Sequence, residues 1–405
     1  MRPRLPSKAG LLALLLAAVP LTAVPGAAQQ PALQGIAASF FERAKLRQRL
    51  HAFCNDIIQD NLSLFEKPSL DPISELEKIA LLKELIDQFD KTNPLKRFKG
   101  DVYYEMSNLS KLFSAMKKEG WDVAFLTEQI DQYIQDIPFR EEFVYQRKYK
   151  QFEAGDLKQG LVDDAIEKMG KLKAAVAAFD EYQGLMKKHG RYDFDDMINW
   201  VIRAFKENKN LLAQYQERFL YILVDEFQDT SGTQNELVQL LTNYWEQPNL
   251  FVVGDDDQSI FRFQGANVEN MLHFQTQYKD DIVNIVLEQN YRSTQPILDA
   301  STQVINQNQE RLINKIGGLS KNLIASLPEN QSIDIAPSIL QYNDPQEEMM
   351  DITEKIAQLI ETGTAPKEIA VLYKEHKYGT EIAHFLQQKN IPIYSRRTAN
   401  LFDQI

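Results

Sequence analysis

The stretch from Phe219 to Thr230, FLYILVDEFQDT, constrains the fold more than any other part of the chain. Six consecutive apolar residues, Phe219 to Val224, stop abruptly at Asp225 and Glu226. A short apolar run bounded by polar residues predicts a strand buried on both faces, as in parallel sheets. Ligands of open α/β sheets collect at the carboxyl ends of such strands. An adjacent Asp-Glu pair there can divide two tasks, one carboxylate holding Mg²⁺ and the other polarising a water. Taken alone, the run equally allows a strand that exits into a solvated acidic turn.

The next residues narrow the choice. Leu237, Leu240, Leu241 and Tyr244 recur at helical spacing. A second apolar run, Leu250 to Val253, ends in Gly254-Asp255-Asp256-Asp257-Gln258-Ser259. Strand, helix and strand in one compact unit predict a parallel crossover with both polar strand ends side by side. A third run, Ile282 to Leu287, leads into Glu288-Gln289-Asn290-Tyr291-Arg292-Ser293-Thr294 and is expected to be a third buried strand. The fold class expected is α/β.

Three segments, VDEFQDT (Val224–Thr230), VGDDDQSIFRFQGA (Val253–Ala266) and LEQNYRST (Leu287–Thr294), resemble motifs II, III and IV of the UvrD/Rep-type superfamily 1 DNA helicases, in order and spacing. Weaker similarity lies in HAFCNDIIQDN (His51–Asn61), YDFDDMI (Tyr192–Ile198) and the segment Glu368–Ile393. The resemblance runs from about residue 50 to the C-terminus and implies P-loop NTPase (RecA-like) lobes, a parallel sheet flanked by helices, with an all-helical insertion. The boundaries expected are 1–49 for an atypical leader, 50–285 for a first lobe with its insertion at about 62–190, and 286–405 for a second lobe.

The implied activity is a 3′–5′ ATP-dependent DNA helicase that translocates on single strands and unwinds duplex in repair or recombination, with ATP and Mg²⁺ as cofactors. Asp225 is then the Mg²⁺ ligand and Glu226 the base that positions water. Gln258 contacts the γ-phosphate, and Arg292 is the arginine finger, a role worth about 10³–10⁵ in rate. Tyr291 resembles the tyrosine that stacks on the nucleotide base. Phe263 matches an aromatic position that stacks on single-stranded DNA, although a core ring after the strand would also suit it. His51 and Gln264 are further DNA-facing positions by resemblance; Gln264 departs from the arginine often found there.

Other features bound the reading. A net charge of −12 argues against a generally basic nucleic-acid coat while allowing a local groove. The single Cys54 excludes an internal disulfide and zinc-finger spacing, and the five histidines contain no HExxH pattern. Tyr145, Arg147, Lys148, Tyr149 and Lys150 form a basic-aromatic cluster suited to single-stranded nucleic acid, as do Lys96, Arg97, Phe98 and Lys99; each also fits a solvated helix face.

Residues 1–30 read like a secretory signal: Arg2, Arg4 and Lys8, then an Ala/Leu-rich run, then Pro-Gly-Ala-Ala. Taken literally this exports the protein. An ATP-driven DNA enzyme works in the cytoplasm, so the leader is expected to be foreign to the core. Arg49 supports this, standing where family members usually carry Thr.

No GxxxxGK[ST] run occurs; Gly170-Lys171 has Ala165 at the first glycine position and Leu172 in place of Ser or Thr. The chain stops at Ile405, ahead of the family's motifs V and VI. It therefore reads as a helicase piece lacking both ends, without ATPase of its own. A non-catalytic α/β protein that binds nucleic acid or a partner is the competing reading.

Overall fold

The computed structural model describes residues 50–65, 70–96, 100–219, 221–259, 268–317 and 319–395. The leader, Phe263 and Gln264 lie outside the described residues. Two compact units divide the chain: residues up to Val286 with Asn308–Ser320, and Leu287–Gln307 with Lys321 onward.

The first unit begins with α1 (Leu50–Asp60). A two-residue strand, β1 (Asp71–Pro72), pairs in parallel with β2 (Arg191–Tyr192) and closes the base of a helical block. That block is α2 (Glu75–Gln88), α3 (Met106–Glu119), α4 (Val123–Asp136), α5 (Gln159–Ala177) and α6 (Phe179–Lys188). Asp71-Pro72 has the form of a helix cap and first-turn proline, but does not start α2, because the amides of Asp71 and Ile73 bond to the carbonyls of Gly190 and Tyr192. Ser74 caps the helix instead, in a reciprocal capping box with Glu77. The buried face is Leu81, Leu82, Leu85 and Ile86, whereas Leu76 is exposed. These residues join Leu109, Phe113, Met116, Val176 and Tyr182 in a core of their own.

After β2 come α7 (Phe194–Glu207), α8 (Lys209–Arg218), β3 (Ile222–Val224), α9 (Gly232–Thr242), β4 (Leu250–Val252) and α10 (Val268–Gln277). Met197, Ile198, Val201, Ile202 and Phe205 fall on one face of α7 and meet α1, α8, β3 and α9 in a second core. β3 and β4 run parallel with Val224 opposite Val252, as the crossover predicts. All three residues of β3 are buried. β4 is only half-buried, with Phe251 exposed, since among the described residues β3 is its one neighbour.

In the second unit, Ile282–Leu287 does not supply the expected strand leading into it. Val283, Ile285 and Leu287 are exposed, and no strand of the described residues pairs with them. The strand there is β5 (Gln289–Asn290), parallel to β6 (Ile324–Ala325). It leads into α11 (Gln295–Ile305), with Pro296 in the first turn, where a missing amide proton costs nothing. The apolar segments Ile333–Ile335, Ile339–Leu340, Ile369–Tyr373 and Ile391–Tyr394 would suit strands by composition, but no described strand includes or pairs with them. α12 (Pro345–Glu361) is capped by Asp344, with Pro345 at its first position, and Gly363 beyond it takes a φ of +105°. It packs on α13 (His376–Gln388) around Met349, Ile356, Ile382 and Leu386. The whole is a helix-rich α/β protein with small parallel sheets. Among the described residues no helix is long and apolar enough to cross a membrane.

Candidate active site

The ends of β3 and β4 form one polar platform. The pairing continues past the strands, with the Val253 amide donating to Val224 O at 2.8 Å and the Phe227 amide to Val253 O at 2.9 Å. Asp225, half-buried, accepts the Glu226 amide on Oδ1 at 3.0 Å. Glu226 sits in the left-handed region, φ 53° and ψ 46°, and its side chain is exposed. That conformation costs a non-glycine residue about 1–2 kcal/mol, so the surroundings must hold it. Phe227 does part of this, buried edge-on against Phe274 of α10 at 5.5 Å.

Gln228, which the sequence reading passed over, is 1% exposed. Its Nε2 donates to Glu226 Oε2 at 2.8 Å, and its Oε1 accepts the Asp255 amide at 3.0 Å. One buried amide therefore joins the two strand ends. Gly254 makes this possible: a Cβ there would lie 2.9 Å from Gln228 Oε1 and 3.3 Å from its backbone nitrogen. The turn after Glu226 closes with Thr230 Oγ1 donating to Phe227 O, and Ser231 caps α9. Burial, and then the Glu226 charge, push the Asp229 carboxyl above its ordinary range.

Gln258 is tied into the same platform, its Nε2 donating to Asp255 Oδ2 at 2.7 Å. The three aspartates before it bring carboxylate oxygens within 4.8 Å of one another, and each is engaged by the protein. Asp255 accepts the Asp257 amide at 3.2 Å. Asp256 accepts the Leu312 amide at 2.7 Å. Asp257 takes a two-point contact from Arg311, at 2.7 and 2.8 Å. Arg311 is 4% exposed, and the hydrogen bond to Asp257 holds its guanidinium above its already high range. No periodicity or motif in the sequence points to it.

The structure thus brings together Asp225, Glu226 and Gln258 in the first unit. Tyr291 and Arg292 lie in the second, on the turn after β5. Asn290 Oδ1 accepts the amides of Arg292 and Ser293 at 2.9 and 2.8 Å, shaping that turn, and both Tyr291 and Arg292 are exposed. His51, on α1, packs its ring 5.5 Å from that of Phe194 at the start of α7. The YDFDDMI segment serves as a joint: Asp193 caps α7 in a capping box with Asp196, and both carboxylates pair with Lys117 of α3.

The donor set at the strand ends suits a hard cation. Mg²⁺ is held by one or two carboxylates together with substrate phosphates, and Asp225 offers a hard oxygen donor at a strand's carboxyl end.

Comparison with known proteins agrees with this geometry. The chain matches the model of the UvrD/REP helicase N-terminal domain over residues 43–279 and that of the UvrD-like helicase C-terminal domain over 285–405. It is 34% identical over 280 residues to the YjcD protein of Bacillus subtilis, covering 65% of this chain and 35% of that protein. It is 38% identical over 241 residues to the ATP-dependent DNA helicase PcrA of Leuconostoc citreum, covering 57% and 30%. Against PcrA of Staphylococcus epidermidis the identity is 35% over 211 residues, covering 52% and 27%. The chain therefore spans 27% to 35% of the length of these relatives. With one domain model or the other matching nearly everything from residue 43 onward, the chain belongs to the UvrD/REP helicase family.

Proposed function

We propose that these residues carry the hydrolytic centre of a 3′–5′ ATP-dependent DNA helicase acting in repair or recombination. The observation that supports it is the parallel pairing of β3 and β4, which sets Asp225 and Glu226 beside the turn bearing Gln258. Asp225 would hold Mg²⁺, Glu226 would orient the attacking water, and Gln258 would report the γ-phosphate. Catalysis of phosphoryl transfer is chiefly positioning and charge stabilisation; the strand-end platform would supply the positioning of water and metal, and the cations would supply the second.

Arg292 and Tyr291 are the proposed arginine finger and base-stacking ring. Their exposure on an ordered turn suits groups that meet a ligand. Residues 50–285 and 286–405 are read as the two lobes of the motor, with the helical block as the insertion of the first. Phe263 and Gln264, with His51, are proposed to face single-stranded DNA. A motor of this kind works on cytoplasmic DNA.

Holding the triphosphate calls for a glycine-rich loop and a lysine, which a test of these residues must supply. DNA-stimulated release of phosphate from Mg-ATP tests the reading. With the loop present, Asp225→Asn should abolish turnover at Mg²⁺ concentrations that saturate the original chain; unchanged turnover would refute the assignment.

A further inference from the structure

Three hydrogen bonds cross the platform through the side chains of Glu226, Gln228 and Gln258, with Asp255 taking part by its backbone amide on one side and its carboxylate on the other. Glu226 accepts from Gln228, Gln228 accepts from the Asp255 amide, and Asp255 accepts from Gln258. The central link is almost wholly buried. A buried amide is costly unless both ends are satisfied, and here the donor and the acceptor each have one partner, on opposite strand ends. Gly254 admits no side chain without collision with that amide, so the approach is built into the backbone.

We propose that Gln228 is a positioning residue that orients the Glu226 carboxylate and couples it, through Asp255, to Gln258. The inference rests on the reading of Glu226 as the water-orienting carboxylate. Glu226 is exposed and its backbone is held in an unfavourable region, and among the described residues Gln228 is the one side chain that donates to its carboxylate. A shift of the Gln258 turn, by whatever the amide of Gln258 contacts, moves Asp255. Because Gln228 grips the Asp255 amide, the same shift reaches the carboxylate. Water orientation and phosphate sensing then form one linked element, the condition for hydrolysis to wait on correct engagement of the nucleotide.

The test exchanges donor and acceptor in the 405-residue chain. Gln228→Ala removes both bonds, and exchange of the Asp255 and Gln258 amides should accelerate about tenfold or more, the cost of one lost hydrogen bond to a buried group. Gln228→Glu keeps an acceptor for Asp255 but sets two carboxylates against each other. The Asp255 amide should stay protected while the amides of Asp229 and Thr230, which close the Glu226 turn, exchange faster. The double variant Glu226→Gln, Gln228→Glu restores one donor and one acceptor with the roles reversed, and protection of that turn should return to within about twofold of the original.

A general packing role for Gln228 would not be rescued by the swap. If Gln228→Glu fails to fold, the swapped chain must still fold. A swapped chain no better protected than Gln228→Glu alone overturns the proposal, as does a Gln228→Ala chain whose Asp255 amide exchanges at the original rate. The swap leaves no carboxylate at position 226. Phosphate turnover that persists in it, behind a phosphate loop, would refute the role given to Glu226 while leaving the coupling intact.

Discussion

Lys117 and Asp196 are paired in the interior, with side chains 2% and 7% exposed and the ammonium 2.9 Å from a carboxylate oxygen. Asp193 completes the cluster at 2.7 Å, and Asn199 Nδ2 donates to Lys117 O at 2.9 Å. The same end of α3 meets α9: Thr233 Oγ1 donates to Lys118 O, and the Gly232 amide to Glu119. The helical block is thereby keyed to the helix that follows the Asp225-Glu226 turn. Removing one partner of a buried pair leaves the other charges uncompensated, at about 3–5 kcal/mol. Lys117→Ala should lower the unfolding free energy by that amount in urea titration. A loss below about 1 kcal/mol would mean the cluster contributes as a surface pair does.

Acidity around this cluster is uneven. Burial opposes ionisation of Asp193, but the charge and hydrogen bond of Lys117 outweigh it and hold that carboxyl low. Asp196 is pushed up by burial. Asp195 is raised to about 6, by burial first and then by the Asp193 charge. A raised acid binds its proton more tightly when folded, so it destabilises the fold as pH rises from its unfolded value to about 6. Asp195→Asn should therefore be more stable than the original chain at neutral pH. The difference in melting temperature should shrink toward pH 4, near the unfolded value, and a constant difference would contradict the assignment.

Arg311 bears on the Gln258 turn from the other side. Its planar fork matches the two oxygens of Asp257, and lysine cannot reproduce that contact. Arg311→Lys should speed amide exchange at Gln258 and Ser259, which bond to the Asp255 and Asp256 carbonyls, by about tenfold. Wild-type exchange in Arg311→Lys would show that charge alone holds the turn.

The sequence made β3, its carboxyl end and the parallel partner legible because an apolar run ending in charges is a local signal. The α12 cap was legible for the same reason, Asp344-Pro345 being a self-contained start. Strand pairing was not. Val283, Ile285 and Leu287 alternate as a strand would, yet pairing depends on residues far away, and none of those described pairs with them. Gln228 was hidden between more reactive neighbours, since its role comes from burial against Gly254. Lys117 lies 76 residues from Asp193, a spacing that no periodicity reports.

The basic-aromatic segment of the helical block leads us to predict weak binding of single-stranded DNA. Tyr145 stacks on Phe152 at 4.8 Å and 10°, Tyr149 is exposed beside them, and Lys158 lies 5.8 Å from the Tyr145 ring centre. Phosphate contacts make such binding salt-dependent, and the net charge of −12 limits it. Fluorescence anisotropy with an oligonucleotide should show affinity falling roughly tenfold or more from 50 to 200 mM salt. Phe263→Ala with Lys148→Ala should weaken it further; binding indifferent to both salt and these changes would point to another surface.

The most direct measurement concerns Glu226. Residues 50–405 would be joined behind the phosphate-loop segment of a PcrA relative, and phosphate release from Mg-ATP followed with and without single-stranded DNA. If Glu226 orients the attacking water, Glu226→Gln should retain nucleotide binding and lose turnover by about 10²-fold or more. DNA-stimulated turnover that survives Glu226→Gln undiminished would contradict the hydrolytic centre proposed at the ends of β3 and β4.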